Sequence, residues 1–570
     1  MINQLKKFFG VSSERRKMEP EGYIVQASEW PEQVNKRITQ SVSSTAQKGV
    51  SGIEITANHP ESITERAARE IKNFQEQEEI KVNLHATMQL RTAMAEQNSY
   101  ERVEEYMKGY IRKADDIGAD YVNLHTSAFP SPEIGRSRGV RYEVMVTPEG
   151  EPIKNFIKQL ANKNPDSKTF EWLVKEFDKI KLVSRWEIIE VITDDRNDYF
   201  EKLISEDEIL NAKENIKRSI EAAGNERAPE VSREEAIEKI KAEYSRSNKI
   251  VKKFRDMDED YRVEVLKQAA QSVLEEKGDV LFEERRVMNE FRVYKLIGWW
   301  MYENGHSIWR KICGRRSPEE LKDEGEMKLL VDAVAGRYIE GHIEHWKDLL
   351  DKTGVTITLE TPDARNPEFL GHYRLVDPTR IYHVISAIDH PNVRLCFDFE
   401  HIATHGINVN EVLGNAPRNL GDFTYLVHLS SNPSPGHEHF PLQKGEKGLY
   451  EMLWTLKTKG FNSGYLTIER GGGQGGGGQQ DEIWKRSISI VKDMAMYLED
   501  DVSPNDLPIE FFGYDDKEFK RDRATIRSNT FKPIQGLIES PELEDTLLGK
   551  HATESEPRMR GGGWKSEEHQ

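Results

Sequence analysis

Short runs of β-branched and aromatic residues recur along the chain, and each is followed by a stretch with helical spacing. The runs are Gly22 to Ala27, Gly52 to Thr56, Lys81 to Ala86, Asp120 to Thr126, Val355 to Glu360, Val393 to Phe399, Phe423 to Leu429 and Gly464 to Glu469. Segments such as YVNLH, VTITLE, VRLCFDF and YLTIE are nearly continuous in apolar character, as strands covered on both faces are. Alternation of strand and helix predicts a parallel α/β fold. Eight such units predict a (β/α)8 TIM barrel, which typically takes about 250 residues, or roughly 31 per unit.

The chain has 570 residues, so a barrel of ordinary size leaves room for additions. Polar residues close most of the runs, and His125 and Glu360 stand 235 positions apart where the other intervals are 30 to 41. One ordinary unit of about 35 residues leaves an insertion of about 200 after the fourth strand, enough for a domain. The expected division is an N-terminal arm at 1–20, barrel strands 1–4 at 21–130, a mostly helical insertion at 131–325, barrel strands 5–8 at 326–500, and a partly disordered C-terminal extension at 501–570. Charged stretches such as Arg233 to Lys253 read as solvated helix faces. The aromatic segment Phe291 to Trp309 reads as a surface that docks the insertion on the barrel. Leaving from the strand end where barrel active sites lie, the insertion is also placed to serve as a lid.

Hydrophobic residues make up 36% and charged residues 32%, which gives a packed core under a heavily solvated exterior. The formal net charge of −18 repels polyanions at long range, so nucleic acid is not the default partner. Two cysteines, Cys313 and Cys396, exclude a disulfide framework and fit a reducing compartment. No apolar run reaches the roughly 18 residues of a membrane span, and the opening segment is too polar for a signal peptide. A cytoplasmic protein with no membrane partner is expected.

In a barrel the carboxy-terminal strand ends converge, so residues distant in sequence meet at one mouth. The candidates there are His85 in NLHAT, His125 in NLHTS, Glu360 in TLETPD, Asp398 and His401 in FDFEH, His428 in VHLSS, His437 and His439 in GHEHF, and Glu469 in TIERGG. Imidazole and carboxylate together are the ligand set of Zn²⁺, with Mn²⁺ or Mg²⁺ as alternatives where carboxylates dominate. So many charges and lone pairs in one cavity call for a cation, and nine groups suffice for two or three ions. Other signals point elsewhere: Gly471 to Gly478 reads as a flexible loop, and His342 and His345 in GHIEHW as packing or surface residues.

The order of these nine positions resembles the xylose isomerase-like TIM barrel superfamily, and most closely the apurinic/apyrimidinic endonucleases of family 2, the endonuclease IV type. The resemblance covers Gly22 to Leu498 without the insertion, and GVSGIEI, Gly49 to Ile55, is similar to the second-strand entry of that superfamily. It implies three metal sites: His85, His125 and Glu360; then Glu360, Asp398, His428 and Glu469; then His401, His437 and His439. It also implies a metal-dependent phosphodiester hydrolase, with Glu360 and Glu469 as catalytic carboxylates, that cuts DNA on the 5′ side of an abasic site. The family has Asp where this chain has His437, which lowers the negative charge around the third site. Arg91 and Arg365 are candidate substrate contacts and Met88 or Gln89 a candidate wedge, although the acidic balance opposes binding to a phosphate backbone.

Two other readings use the same residues. A sugar isomerase or epimerase of the superfamily would need only Glu360, Asp398, His428 and Glu469 with one ion, acting on a sugar or a phosphorylated small molecule. A non-catalytic metal-binding barrel in a larger complex would need no substrate at all.

Overall fold

The structure is a computed structural model that describes residues 20–29, 38–126, 145–194, 196–223, 229–245, 249–283, 289–364, 373–431, 439–469 and 478–513. Eight strands close into a barrel in chain order: β1 (Tyr23–Glu29), β2 (Gly52–Thr56), β3 (Lys81–His85), β4 (Tyr121–His125), β5 (Thr356–Glu360), β6 (Val393–Asp398), β7 (Thr424–Leu429) and β8 (Gly464–Ile468). Every pairing is parallel, and β8 returns to β1 with Val25 opposite Leu466, so no strand edge is left open. The expected (β/α)8 barrel is what forms. β4 and β5 lie side by side despite their separation in sequence, which sets His125 opposite Glu360.

Period-two alternation divides each strand between two environments. Val82 and Leu84, Val122 and Leu124, Ile357 and Leu359, and Leu466 and Ile468 are buried apolar positions. The residues between them, Asn83, Asn123, Thr358 and Thr467, are buried polar positions and hydrogen-bond across the barrel interior. Gln26 Nε2 donates to Thr467 Oγ1 at 2.6 Å, Asn83 Nδ2 to Gln26 Oε1 at 3.3 Å, and Thr358 Oγ1 to Asn123 Oδ1 at 2.8 Å. The interior is therefore a polar, satisfied layer, and the candidate ligands continue the same row at the strand ends.

The helix Glu324–Thr353 leads into β5 and stops at Gly354, whose φ of +67° turns the chain while its N–H bonds Leu350 O at 2.8 Å. The helix Pro378–Ile388 starts where the Asp377 carboxylate accepts the Thr379 N–H at 2.9 Å and Pro378 occupies the first turn.

The chain divides into two compact units: the barrel unit, with 1–90, 106–128 and 346–570, and a second unit, with 91–105 and 129–345. The span 131–325 falls within the second. That unit has a core of its own, with Phe170, Phe177, Tyr294, Trp309 and Tyr338 almost fully buried. Much of the aromatic segment 291–309 lies there: the Tyr294 and Tyr338 rings stack at 5.8 Å and Trp309 Nε1–H donates to Arg316 O at 3.0 Å. His342 stacks on Tyr100 at 4.2 Å with Nδ1 2.6 Å from Glu104 Oε1. Among the described residues, no helix is long and apolar enough to cross a membrane.

β8 starts at Gly464, where φ is +145° and an added Cβ would sit 2.5 Å from Tyr425 O. Replacing it by alanine pushes β8 off β7 at the closure of the barrel. Gly464→Ala is expected to cost about 3 kcal/mol; a urea unfolding midpoint equal to that of the parent protein would contradict this.

Candidate metal centre

Strand register brings the candidate ligands together. His85, Glu360 and Asp398 are the last residues of β3, β5 and β6, and Asp398 stands opposite His428 on β7. Glu469 directly follows β8, its N–H bonded to Leu429 O at 3.3 Å. His401 arrives on the short helix Phe399–Thr404, which Asp398 caps by accepting the His401 N–H at 2.7 Å. His439 has a φ of +45°, an uncommon conformation for a side chain with a Cβ, and its N–H bonds Glu400 Oε1 at 3.0 Å. His85, His125, Glu360, Asp398, His401, His428, His439 and Glu469 are all buried.

The two oxygens of Glu360 face different partners. Oε2 lies 3.2 Å from His85 Nε2 and 3.1 Å from His125 Nε2. Oε1 lies 3.2 Å from His428 Nδ1 and 3.1 Å from His401 Nδ1. Glu469 divides in the same way, with Oε1 3.3 Å from His428 Nδ1 and Oε2 3.2 Å from His439 Nε2. Asp398 Oδ2 adds a contact of 3.5 Å to His428 Nδ1. Within each of three sets, His85–His125–Glu360, Glu360–Asp398–His428–Glu469 and His401–His439–Glu469, the donor atoms lie within 4.8 Å of one another. A tetrahedral zinc site with bonds of about 2.0–2.1 Å spaces its ligands about 3.3 Å apart, so this donor set fits divalent ions in kind and in spacing.

Carbonyl and carboxylate oxygens outside these three sets also approach the rings. His85 Nδ1 lies 2.7 Å from Ala86 O, and His401 Nδ1, which also meets Glu360, lies 2.9 Å from Thr361 O. His428 Nε2 lies 3.3 Å from Glu54 Oε1 and His439 Nδ1 3.3 Å from Glu400 Oε2, while His125 Nδ1 is 3.9 Å from Asp363 Oδ1, beyond hydrogen-bond distance. A carbonyl or carboxylate on one nitrogen fixes the tautomer and leaves the other nitrogen's lone pair for a ligand bond. Sequence reasoning missed Glu54, Asp363 and Glu400. Their signal was slight: a carboxylate at an interior position of the apolar strand GIEIT, and two more beside residues already singled out in TLETPD and FDFEH. Cys396, with Glu360 and His428 in a further such group, was noted only for compartment.

Arg91 belongs to the second unit, where its guanidinium approaches Met94 Sδ at 3.9 Å. His437 and Arg365 lie outside the described residues.

Burial pulls the His428 imidazole down, yet Cys396, Glu360, Glu54 and Glu469 around it carry it well above its ordinary value. Burial likewise opposes charge on His401, and Asp398, Glu360 and Asp363 reverse it. His85 is raised despite its burial by the hydrogen bond to Glu360 and the charge of Glu54. Burial pushes Glu360 and Glu469 up, but the neighbouring imidazoles, His125 and His428 for the first and His428 and His439 for the second, hold both well below the carboxylate range. Protons on the imidazoles thus balance the carboxylates when no ion does.

Residues 331–494, which carry β5 to β8, match the family model described as a xylose isomerase-like TIM barrel. No curated protein matches the chain. Similar solved structures include a D-tagatose 3-epimerase-like protein, at 11% identity, TM-score 0.41, and coverage of 84% of this chain and 100% of that one. A 3-keto-D-glucoside 4-epimerase from E. coli follows at 8% identity, TM-score 0.36 and coverage of 83% and 99%. A xylose isomerase domain protein from Planctomyces limnophilus has 10% identity, TM-score 0.35 and coverage of 84% and 99%.

The charge balance predicts how stability depends on pH without metal. An imidazole raised above its ordinary 6.5 contributes fully below that pH and loses its contribution as pH climbs through the raised value. Glu360 and Glu469, lowered from 4.5, contribute fully above that pH and lose it as pH falls through the lowered values. Chelator-treated protein should therefore melt highest between about pH 4.5 and 6.5 and lose stability as pH climbs above 6.5 through the raised imidazole values. With a divalent ion present the trend above 6.5 reverses, because ion uptake needs the deprotonated rings. Thermal melts with and without chelator check this, and a chelated melting temperature that is flat above pH 6.5 would contradict it.

Proposed function

We propose that the barrel is a divalent-metal-dependent phosphodiester hydrolase of the endonuclease IV type, holding two or three zinc ions and cutting DNA on the 5′ side of an abasic nucleotide. The observation that supports this reading is the division of the Glu360 carboxylate, one oxygen towards His85 and His125 and the other towards His428. A carboxylate placed in this way would serve two neighbouring ligand groups at once. A one-ion sugar isomerase would use Glu360, Asp398, His428 and Glu469 and leave His85, His125, His401 and His439 without a role.

Bound ions supply Lewis acidity and a water that ionises near neutral pH. The protein's own part is placement. Glu360 ties the two ligand groups to one rigid strand end, and Glu469 ties the second group to His439. Burial of the ligands around them limits competing water, which strengthens every charge interaction in the site. The formal charge of −18 requires DNA to be held by basic side chains, for which the sequence offers Arg91 and Arg365 as candidates.

The test is incubation of the zinc-loaded protein and of its Glu360→Gln variant with an oligonucleotide containing one abasic site, and separately with ketoses. The parent protein is expected to give a single chelator-sensitive cut 5′ of the lesion, and Glu360→Gln to lower the rate by about 10³-fold or more while keeping the parent's circular dichroism. Turnover of a ketose with the oligonucleotide intact would install the isomerase reading instead. Ion uptake with neither activity would favour a non-catalytic barrel.

A further inference from the structure

Glu54 stands mid-strand on β2 with no exposure, between Ile53 and Ile55, which are equally buried. A carboxylate in that position needs strong partners, since isolated burial of its charge is prohibitive. Both of its oxygens approach one imidazole nitrogen: His428 Nε2 lies 3.3 Å from Oε1 and 3.4 Å from Oε2. The Tyr121 hydroxyl donates to Oε2 at 2.7 Å. Having given its proton to Glu54, that hydroxyl accepts from Gln26 Nε2, which also donates to Thr467 Oγ1 at 2.6 Å. Gln26 Oε1 accepts from Asn83, whose own Oδ1 accepts the Asp120 N–H at 2.8 Å. Residues from β1, β2, β3, β4 and β8 thus fix the carboxylate in the floor of the barrel.

On the other side of the same ring, Nδ1 faces Glu360, Asp398 and Glu469 at 3.2, 3.5 and 3.3 Å. A neutral imidazole carries one ring proton, and it goes to the nitrogen that meets the acceptor. We infer that Glu54 is a positioning residue for the metal centre: it holds the proton of His428 on Nε2, turns the Nδ1 lone pair to the ion among Glu360, Asp398 and Glu469, and is itself held by Tyr121. This role is additional to the nine ligands that the family resemblance implies, and it rests on the reading of the site as a metal centre.

The experiment compares Zn²⁺ affinity, by competition with a chromophoric chelator, and ion count at saturation in the full-length parent protein, Glu54→Leu and Tyr121→Phe. Second-sphere partners of metal-bound histidine are typically worth about 10- to 100-fold in affinity, so Glu54→Leu should weaken binding within that range, and Tyr121→Phe by less, about 3-fold. The ion count should stay at the parent value, and the visible absorption of the Co²⁺ form should change in Glu54→Leu, a readout that a purely structural role would leave alone. Melting of the chelated variants shows whether each has folded; if Glu54→Leu has not, Tyr121→Phe carries the test by itself. Parent affinity in a folded variant overturns the inference, as does loss of a whole ion at saturation, which would make Glu54 a direct ligand. If the parent protein takes up no ion, the metal-centre reading itself fails, a different result from unchanged affinity in the variants.

Discussion

A carboxylate taken out of water must find positive charge or a full set of donors, and six of them, Glu54, Glu360, Asp363, Asp398, Glu400 and Glu469, are buried around the interior and mouth of this barrel. Five imidazoles, His85, His125, His401, His428 and His439, are buried among them at contacts of 3.1 to 3.9 Å. Without an ion these groups are reconciled by protons on histidine. Divalent ions would displace those protons and take the same lone pairs as ligands. The rest of the site follows from that constraint: tautomers fixed by carbonyls and carboxylates, a strained His439 held by Glu400, and a polar barrel floor that anchors Glu54.

The fold was legible because parallel strands covered on both sides read as nearly continuous apolar runs, and eight of them stand at the expected places. Gly52 to Thr56 matches β2 at both ends, and the others differ by one or two residues, at strand ends where pairing gives way to loop. The candidate ligands were legible because His and Glu at strand termini violate the apolar pattern. Glu54 was not, because one carboxylate inside GIEIT has no partner in the local sequence. Its partners, Tyr121 and His428, lie 67 and 374 positions away and meet it only when the barrel closes. The polar interior layer of Gln26, Asn83, Asn123 and Thr467 was hidden for the same reason: each residue alone interrupts an apolar run, and only the cross-barrel hydrogen bonds reveal a layer.

The way the carboxylates divide also bears on chemistry. Glu360 and Glu469 each link two groups of imidazoles through separate oxygens, a more economical frame for neighbouring ions than for one. Neighbouring ions suit the displacement of an alkoxide from a phosphodiester, where charge develops on both the entering and the leaving oxygen. Proton exchange at a sugar carbon needs one ion and carboxylates placed to move the proton, a task that gives His85, His125, His401 and His439 no part.

The most direct measurement is anomalous diffraction at the zinc absorption edge from crystals of the zinc-loaded protein. At least two peaks about 3.5–4 Å apart are expected, one on each side of the Glu360 carboxylate. A single peak among Glu360, Asp398, His428 and Glu469, with none beside His85 and His125, would contradict this.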